Sequence, residues 1–278
     1  MLRKATSTVR RWAELLMTSQ QVIREHGVKR WSEAVWNLTK RKTPSEHRYT
    51  LFSNLNYLTA RVKYNSPADP YKLLWIDTGR ISHYTEEPPG GEGLGTIGGG
   101  DWDRAANLRP IENHWIVRGI QQRFERGNDW ENTEYYSYPA RKFEDGKSWM
   151  ADCRNIDEWR ENRCAYVDRI YADIRDNGYR PETKHSDRNE SYPGKNNAGL
   201  EVAVSIGRDG SIFLSHGGFH RFAIAKVLDI RIPVNVRCRS KRWQLKRDEV
   251  SVALTNGEDP ETIEHADHPD MRDVIARS

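Results

Sequence analysis

The feature that most constrains this chain is the run from Val202 to Val236, where two β-prone stretches, a pair of glycines, a helical stretch and a third β-prone stretch succeed one another without a linker. Val202-Ala203-Val204-Ser205-Ile206 alternates, Arg208-Asp209-Gly210 supplies turn chemistry, and Ser211-Ile212-Phe213-Leu214 completes a hairpin. Ser215-His216-Gly217-Gly218-Phe219-His220-Arg221 then opens a helix running to Leu228, and Ile232-Pro233-Val234-Asn235-Val236 returns as a strand. Two glycines between a strand and a helix let the backbone take conformations other residues resist and approach a ligand closely. The helix's first N–H groups and its dipole favour an anion, and His220 and Arg221 add donors. Gly217, Gly218, His220 and Arg221 are therefore a phosphate-site candidate.

The rest of the chain supplies a setting for that turn. Residues 5–25 place Val9, Trp12, Leu15, Leu16, Val22 and Ile23 near one helical face, and Trp31, Val35, Trp36 and Leu38 suggest a second short helix. A basic stretch, Lys40-Arg41-Lys42-Thr43-Pro44-Ser45, closes this opening segment, which reads as a helical cap over residues 1–47, with a nucleic-acid arm or a membrane-surface helix as alternatives. Residues 48–65 are rich in β-prone types, and Leu73-Leu74-Trp75-Ile76-Asp77 reads as a buried strand. Residues 86–100 are dominated by Gly and Pro, as in a long functional or disordered loop.

That loop ends in Asp101-Trp102-Asp103, two carboxylates two positions apart that could hold Mg²⁺ or act as a base, or simply form an Asx-turn or helix cap. A helix from Pro110 carries Trp115, Ile116, Ile120 and Phe124 inward and stops near Gly127, and Trp130–Tyr136 reads as an aromatic packing corner. Asn155 with Glu158 makes a capping-box-like start for a helix over 156–177, stopped by Gly178. Residues 182–199 form a polar loop ahead of Val202.

The net charge of +4 hides an asymmetry: residues 1–48 carry +7, residues 231–247 carry +7, and residues 248–278 carry −7. The second basic block includes Lys241, Arg242, Lys246 and Arg247 with Trp243 interleaved, so it could bind a nucleic-acid backbone, or form the outer face of the last helix with the acidic tail folded back on it. Three cysteines without paired short spacing argue against a disulfide scaffold or a zinc ribbon, and buried thiols in a reducing cytoplasm fit them. No apolar run reaches the roughly 20 residues needed to span a bilayer, and the N-terminal apolar stretch, interrupted by Glu14, does not read as a signal peptide. A cytoplasmic protein is expected.

Ile206-Gly207-Arg208-Asp209-Gly210, Gly217-Gly218-Phe219-His220-Arg221-Phe222-Ala223-Ile224-Ala225 and Ile232-Pro233-Val234 together resemble the ParB/sulfiredoxin superfamily, over about 40 residues. The turn looks like the Gly-Gly-Cys-His-Arg loop with which sulfiredoxins hold nucleotide phosphates, and Leu74–Ile81 looks like the fold's first strand. Phe219 stands where that chemistry needs a thiolate, so sulfiredoxin activity is not expected. Partition proteins of the superfamily continue into a helix-turn-helix, whereas 38 residues follow Ser240 here and end in an acidic tail, so chromosome partition is not expected either.

The superfamily also includes small-molecule kinases. That branch implies Gly217, Gly218, His220 and Arg221 as phosphate ligands, Glu201 at the mouth of the strand as a candidate base, and Asp101 and Asp103 as alternative bases or Mg²⁺ ligands. Each has a structural alternative: His220 and Arg221 as a cap paired with acids, Glu201 as an exposed strand end.

The expected fold is α+β: a ParB/sulfiredoxin-like mixed sheet over residues 48–247, a large helical insertion at about 85–198, a helical N-terminal cap, and an acidic tail from 248. The expected function is an ATP- or ADP-dependent phosphotransferase acting on a small hydroxylated substrate. A nucleic-acid-binding or nuclease-like ParB relative and a non-catalytic nucleotide-binding domain are the alternatives.

Overall fold

The computed structural model describes residues 45–86, 93–148, 150–181, 201–215, 217–259 and 262–276. The predicted helices before Ser45, the polar loop at 182–199, His216 and part of the glycine-rich loop lie outside these residues. The chain divides at Arg48/Tyr49 into two compact units, and the whole sheet belongs to the second.

The described residues form an α+β fold on one mixed seven-stranded sheet. Its strands are β1 (Leu74–Asp77), β2 (His83–Tyr84), β3 (Thr96–Gly98), β4 (Arg109–Pro110), β5 (Val202–Ile206), β6 (Ile212–Leu214) and β7 (Arg231–Ser240). They run in the order β1-β7-β5-β6-β2-β4, with β3 added to β7. β7 is the axis. It pairs antiparallel with β1 (Leu74 opposite Val234), parallel with β5 (Val202 opposite Val234) and parallel with β3 (Thr96 opposite Cys238). β5 and β6 form the expected hairpin, with Ile206 opposite Ile212.

Sheet burial follows from this order. Every residue of β5 is buried, as expected for a central strand with neighbours on both edges and cover on both faces, whereas β1 alternates Leu74 and Ile76 inward with Trp75 and Asp77 outward. The described residues also form eight α-helices: α1 (Ser45–Lys63), α2 (Trp115–Phe124), α3 (Glu134–Glu144), α4 (Ile156–Glu158), α5 (Ala165–Asn177), α6 (Phe219–Val227), α7 (Lys241–Thr255) and α8 (Arg272–Ile275). α6 buries Phe222, Ala223, Ile224 and Ala225 between the sheet and α2, all with no exposed surface. Its two alanines permit close approach, and burying Phe222 and Ile224 stabilises the unit by about 1.5–3 kcal/mol each.

Three elements differ from the sequence reading. Residues 48–65, read as β-prone, lie in the helix α1 up to Lys63, whose polar side chains anchor it: the Ser53 hydroxyl accepts from Leu94 N–H at 2.9 Å, and Asn56 Nδ2 donates to the Leu94 carbonyl at 3.0 Å. Tertiary anchoring overrides the weak local preference of Tyr, Thr and Val. The segment 85–198 is not purely helical, because β3 and β4 come from it and complete the sheet. The helix predicted over 156–177 is capped by Asn155, which accepts from Glu158 N–H at 2.8 Å, but Trp159–Cys164 winds as a π-helix between α4 and α5. That wider turn buries Trp159, Arg163 and Cys164.

The acidic tail does fold back on the second basic block. Arg239 donates to both oxygens of Asp270, at 2.6 Å from Nη2 and 3.0 Å from Nε, and Trp243 Nε1 donates to the same carboxylate at 2.9 Å. Arg247, with no exposed surface, donates to the Asp270 carbonyl and to Asp273. α7 runs through residue 248 without a break. Cys153, Cys164 and Cys238 are buried free thiols, and no helix among the described residues is long and apolar enough to cross a membrane.

Candidate functional site

The glycine turn sits where β6 leaves the sheet. Ser215 N–H donates to the Ala203 carbonyl at 2.8 Å, and the buried Ser205 and Ser215 hydroxyls meet at 2.7 Å, which holds the chain on the sheet until the turn begins. Gly217 (φ 114°) and Gly218 (φ 80°) both occupy the left-handed half of backbone space. A Cβ on Gly218 would stand 2.8 Å from Val202 Cα, so the turn needs glycine for space as well as for conformation. Gly218 is also the N-cap of α6, and the N–H groups of the first turn, Phe219 to Arg221, have no intrahelical acceptor.

Arg221 and Glu201 meet beside this turn. Arg221 Nη1 donates to Glu201 Oε2 at 3.3 Å, and the Tyr179 hydroxyl donates to the same oxygen at 2.6 Å. Glu201 is 4% exposed, so it is no surface strand end, and its own N–H donates to Asn235 Oδ1 at 3.0 Å. The fold thus brings together four predicted residues: Gly217, Gly218, Arg221 and Glu201. Tyr179 and Asn235 were not legible as members of the group. They reach it from the end of α5 and from β7, and nothing in their local sequence marks them.

His220 is a correction. Its Nε2 lies 2.9 Å from the Tyr135 hydroxyl of α3, and the two rings meet edge to face. Burial, with Arg163, His114 and Arg221 nearby, pushes its pKa down to about 3, so at neutral pH it is an uncharged link between α6 and α3, with Nε2 engaged by Tyr135 rather than offered as a donor to phosphate.

Asp101 and Asp103 are a second correction. Both engage Arg208 at the hairpin turn, at the far end of β6 from Gly217. Asp103 accepts from the Arg208 backbone N–H at 2.6 Å and from its guanidinium, and Asp101 Oδ1 accepts from Arg208 Nη2 at 2.9 Å and Arg104 Nε at 2.7 Å. Hydrogen bonds from Arg104 and then Arg208 hold the Asp101 carboxyl below the usual carboxylate range. With a guanidinium at their centre these two carboxylates do not fit a Mg²⁺ site, and they sit at the hairpin turn, engaged with Arg208, rather than beside the glycine turn. Among the described residues no group of three or more His, Cys, Asp or Glu is placed to hold a metal ion.

The basic block is not one surface either. Lys241 and Arg242 are exposed at the start of α7, but Lys246 pairs with Glu264 at 2.8 Å and with Glu249 at 3.7 Å, and Arg247 and Trp243 are core residues. A backbone-binding strip through all four cations is therefore excluded by the burial of Arg247. Compared with protein-family models, curated proteins and solved structures, the chain has no match.

Proposed function

We propose that the chain binds the phosphates of a nucleotide, ATP or ADP, at Gly217–Arg221 and transfers a phosphoryl group to a small hydroxylated substrate, on a sheet of the ParB/sulfiredoxin type. The observation that carries this reading is the pair of positive-φ glycines, with Gly218 pressed against Val202, which presents the first N–H groups of α6 with Arg221 held beside them by Glu201. Oriented N–H groups and one guanidinium suit a phosphate, and phosphoryl transfer depends mostly on positioning and charge neutralisation. Glu201 is the one proposed base in contact with this group. It orients Arg221 and takes the acceptor's proton as the new O–P bond forms and the bond to the departing nucleotide oxygen breaks.

Differential scanning fluorimetry with ATP, ADP and CTP, each with and without Mg²⁺, tests the reading against single-stranded and duplex DNA. A nucleotide at 100 times its dissociation constant adds about 2.7 kcal/mol of stability. Arg221→Ala removes that gain while Lys241→Ala leaves it. Absence of any nucleotide response overturns the proposal, and salt-sensitive stabilisation by DNA alone replaces it with a nucleic-acid function.

A further inference from the structure

Phe219, between Gly218 and His220, packs against two residues of a second feature, His114 and Tyr84. Its ring stacks on His114 at 3.9 Å and meets Tyr84 edge to face at 5.7 Å. On the far side of these rings lies an open cleft of about 390 Å³, within the range of small-molecule sites. It is built where β2 and the first turns of α2 and α3 converge, and its lining includes His114, Trp115, Arg118, Glu86, Glu134 and Tyr138.

Both donors and acceptors line this cleft. Arg118 is held in place, with Nε donating to the Glu112 carbonyl at 3.2 Å and Nη2 donating to Asn113 Oδ1 at 3.0 Å. Glu134 is held by Arg141 at 3.2 Å. His114 Nδ1 accepts from Ile116 N–H at 3.3 Å, which places the ring proton on Nε2, and burial pushes its pKa down to about 4, so it is a neutral donor. Trp115 and Tyr138 stack at 4.7 Å and 15°, forming a rigid aromatic wall.

Each class of ligand meets this lining differently. An anion meets two carboxylates, Glu86 and Glu134, against one guanidinium. A bare cation meets Arg118, and Glu134 is already neutralised by Arg141. An apolar molecule strips water from several polar groups without replacing their hydrogen bonds. A neutral molecule with several hydroxyls satisfies the lining, because each hydroxyl donates once and accepts twice and its C–H face can lie on the aromatic wall. We propose that this cleft binds a neutral polyhydroxylated molecule, a sugar or a polyol. None of Gly217, Gly218, Glu201 and Arg221 lines this cleft, so the proposal stands independently of the phosphate-site reading.

Saturation-transfer NMR on the full chain without nucleotide tests the site, with D-glucose, sorbitol, glucose 6-phosphate and ethanolamine as probes. The expected result is transfer to glucose or sorbitol and none to the phosphate or the amine. Arg118→Ala and Glu134→Gln, both with melting curves like the parent's, weaken that binding at least tenfold, and Arg221→Ala leaves it unchanged. Preference for the charged probes, no binding of either neutral probe, or binding insensitive to both variants overturns the proposal. Nucleotide binding, measured separately, is expected to depend on Arg221 and not on Arg118, so loss of one reading leaves the other standing or falling on its own data.

Discussion

Replacing Asp270 by asparagine tests how the C-terminal segment is held. The side chain keeps its size, so no cavity forms, and the change removes one charge. Asp270 is 1% exposed and receives Arg239 through both oxygens, the Trp243 indole N–H, and Arg247 Nη1 at 3.4 Å. Arg247 keeps Asp273 at 2.9 Å, but Arg239, also buried, has Asp270 as its ion-pair partner among the described residues. Removing one member of a buried pair costs about 3–5 kcal/mol, because the other charge stays buried. For a unit of this size that lowers the melting temperature by about 6–20 °C. Burial pushes the Asp270 carboxyl up, but the charges of Arg239 and Arg247 with the hydrogen bonds from Arg239 and Trp243 outweigh it and hold the group well below the usual carboxylate range. Its contribution is therefore complete above the unfolded-state value of about 3.9 and is lost as pH falls below it. Calorimetric melts of parent and Asp270→Asn at pH 7, 5 and 3 check both points. The gap between them is expected to be wide at pH 7 and 5 and to narrow at pH 3. A loss under about 1 kcal/mol at pH 7, or a gap indifferent to pH, refutes the reasoning.

Three further outcomes are expected. Gly218→Ala lowers stability by at least about 1–2 kcal/mol through its positive φ alone, with the approach to Val202 adding to this, and weakens any nucleotide binding; chemical denaturation measures the first and calorimetric titration the second. Burial pushes His114 down to about 4 and His220 to about 3, both below the unfolded value of about 6.5, so the stability they confer is complete above pH 6.5 and falls as pH drops toward 4. Urea midpoints at pH 7.5, 6 and 4.5 are expected to decline in that order, with a smaller decline in His220→Gln. Burial pushes the thiols of Cys164 and Cys238 up to about 12, so a thiol reagent at pH 8 labels them only as fast as the protein opens, and rapid labelling of the folded chain contradicts the packing described.

The hairpin, the glycine turn, α6 and the start of β7 were legible because each depends on neighbours in sequence: alternation, a turn tripeptide, two glycines and a short helical run. β2 and β4, two residues each, carry no periodicity, and β3 is chosen by its pairing with Cys238–Ser240. The π-helix has nearly the same apolar spacing as an α-helix. At the site, Gly217, Gly218, Arg221 and Glu201 were legible because strand and turn sit next to one another in the chain. His220 was assigned its type's chemistry, yet Tyr135 turns it inward from 85 positions away. Asp101 and Asp103 looked like a paired-carboxylate motif until Arg208, 105 positions from Asp103, took both. Composition announces such a group, but only long-range packing decides what it faces.

The central place of β7 has a consequence for how the protein is made. β1 and β3 pair with this strand alone, so neither has a place in the sheet until the chain has been synthesised through β7. Between Leu74 and its partner Val234 a ribosome adding about 5–20 residues per second works for roughly 8–30 s. During that interval the apolar face of β1 and the α2–α5 helices wait for a partner still to be translated, and such late, non-local closure is where a nascent chain is most open to aggregation and to chaperone capture.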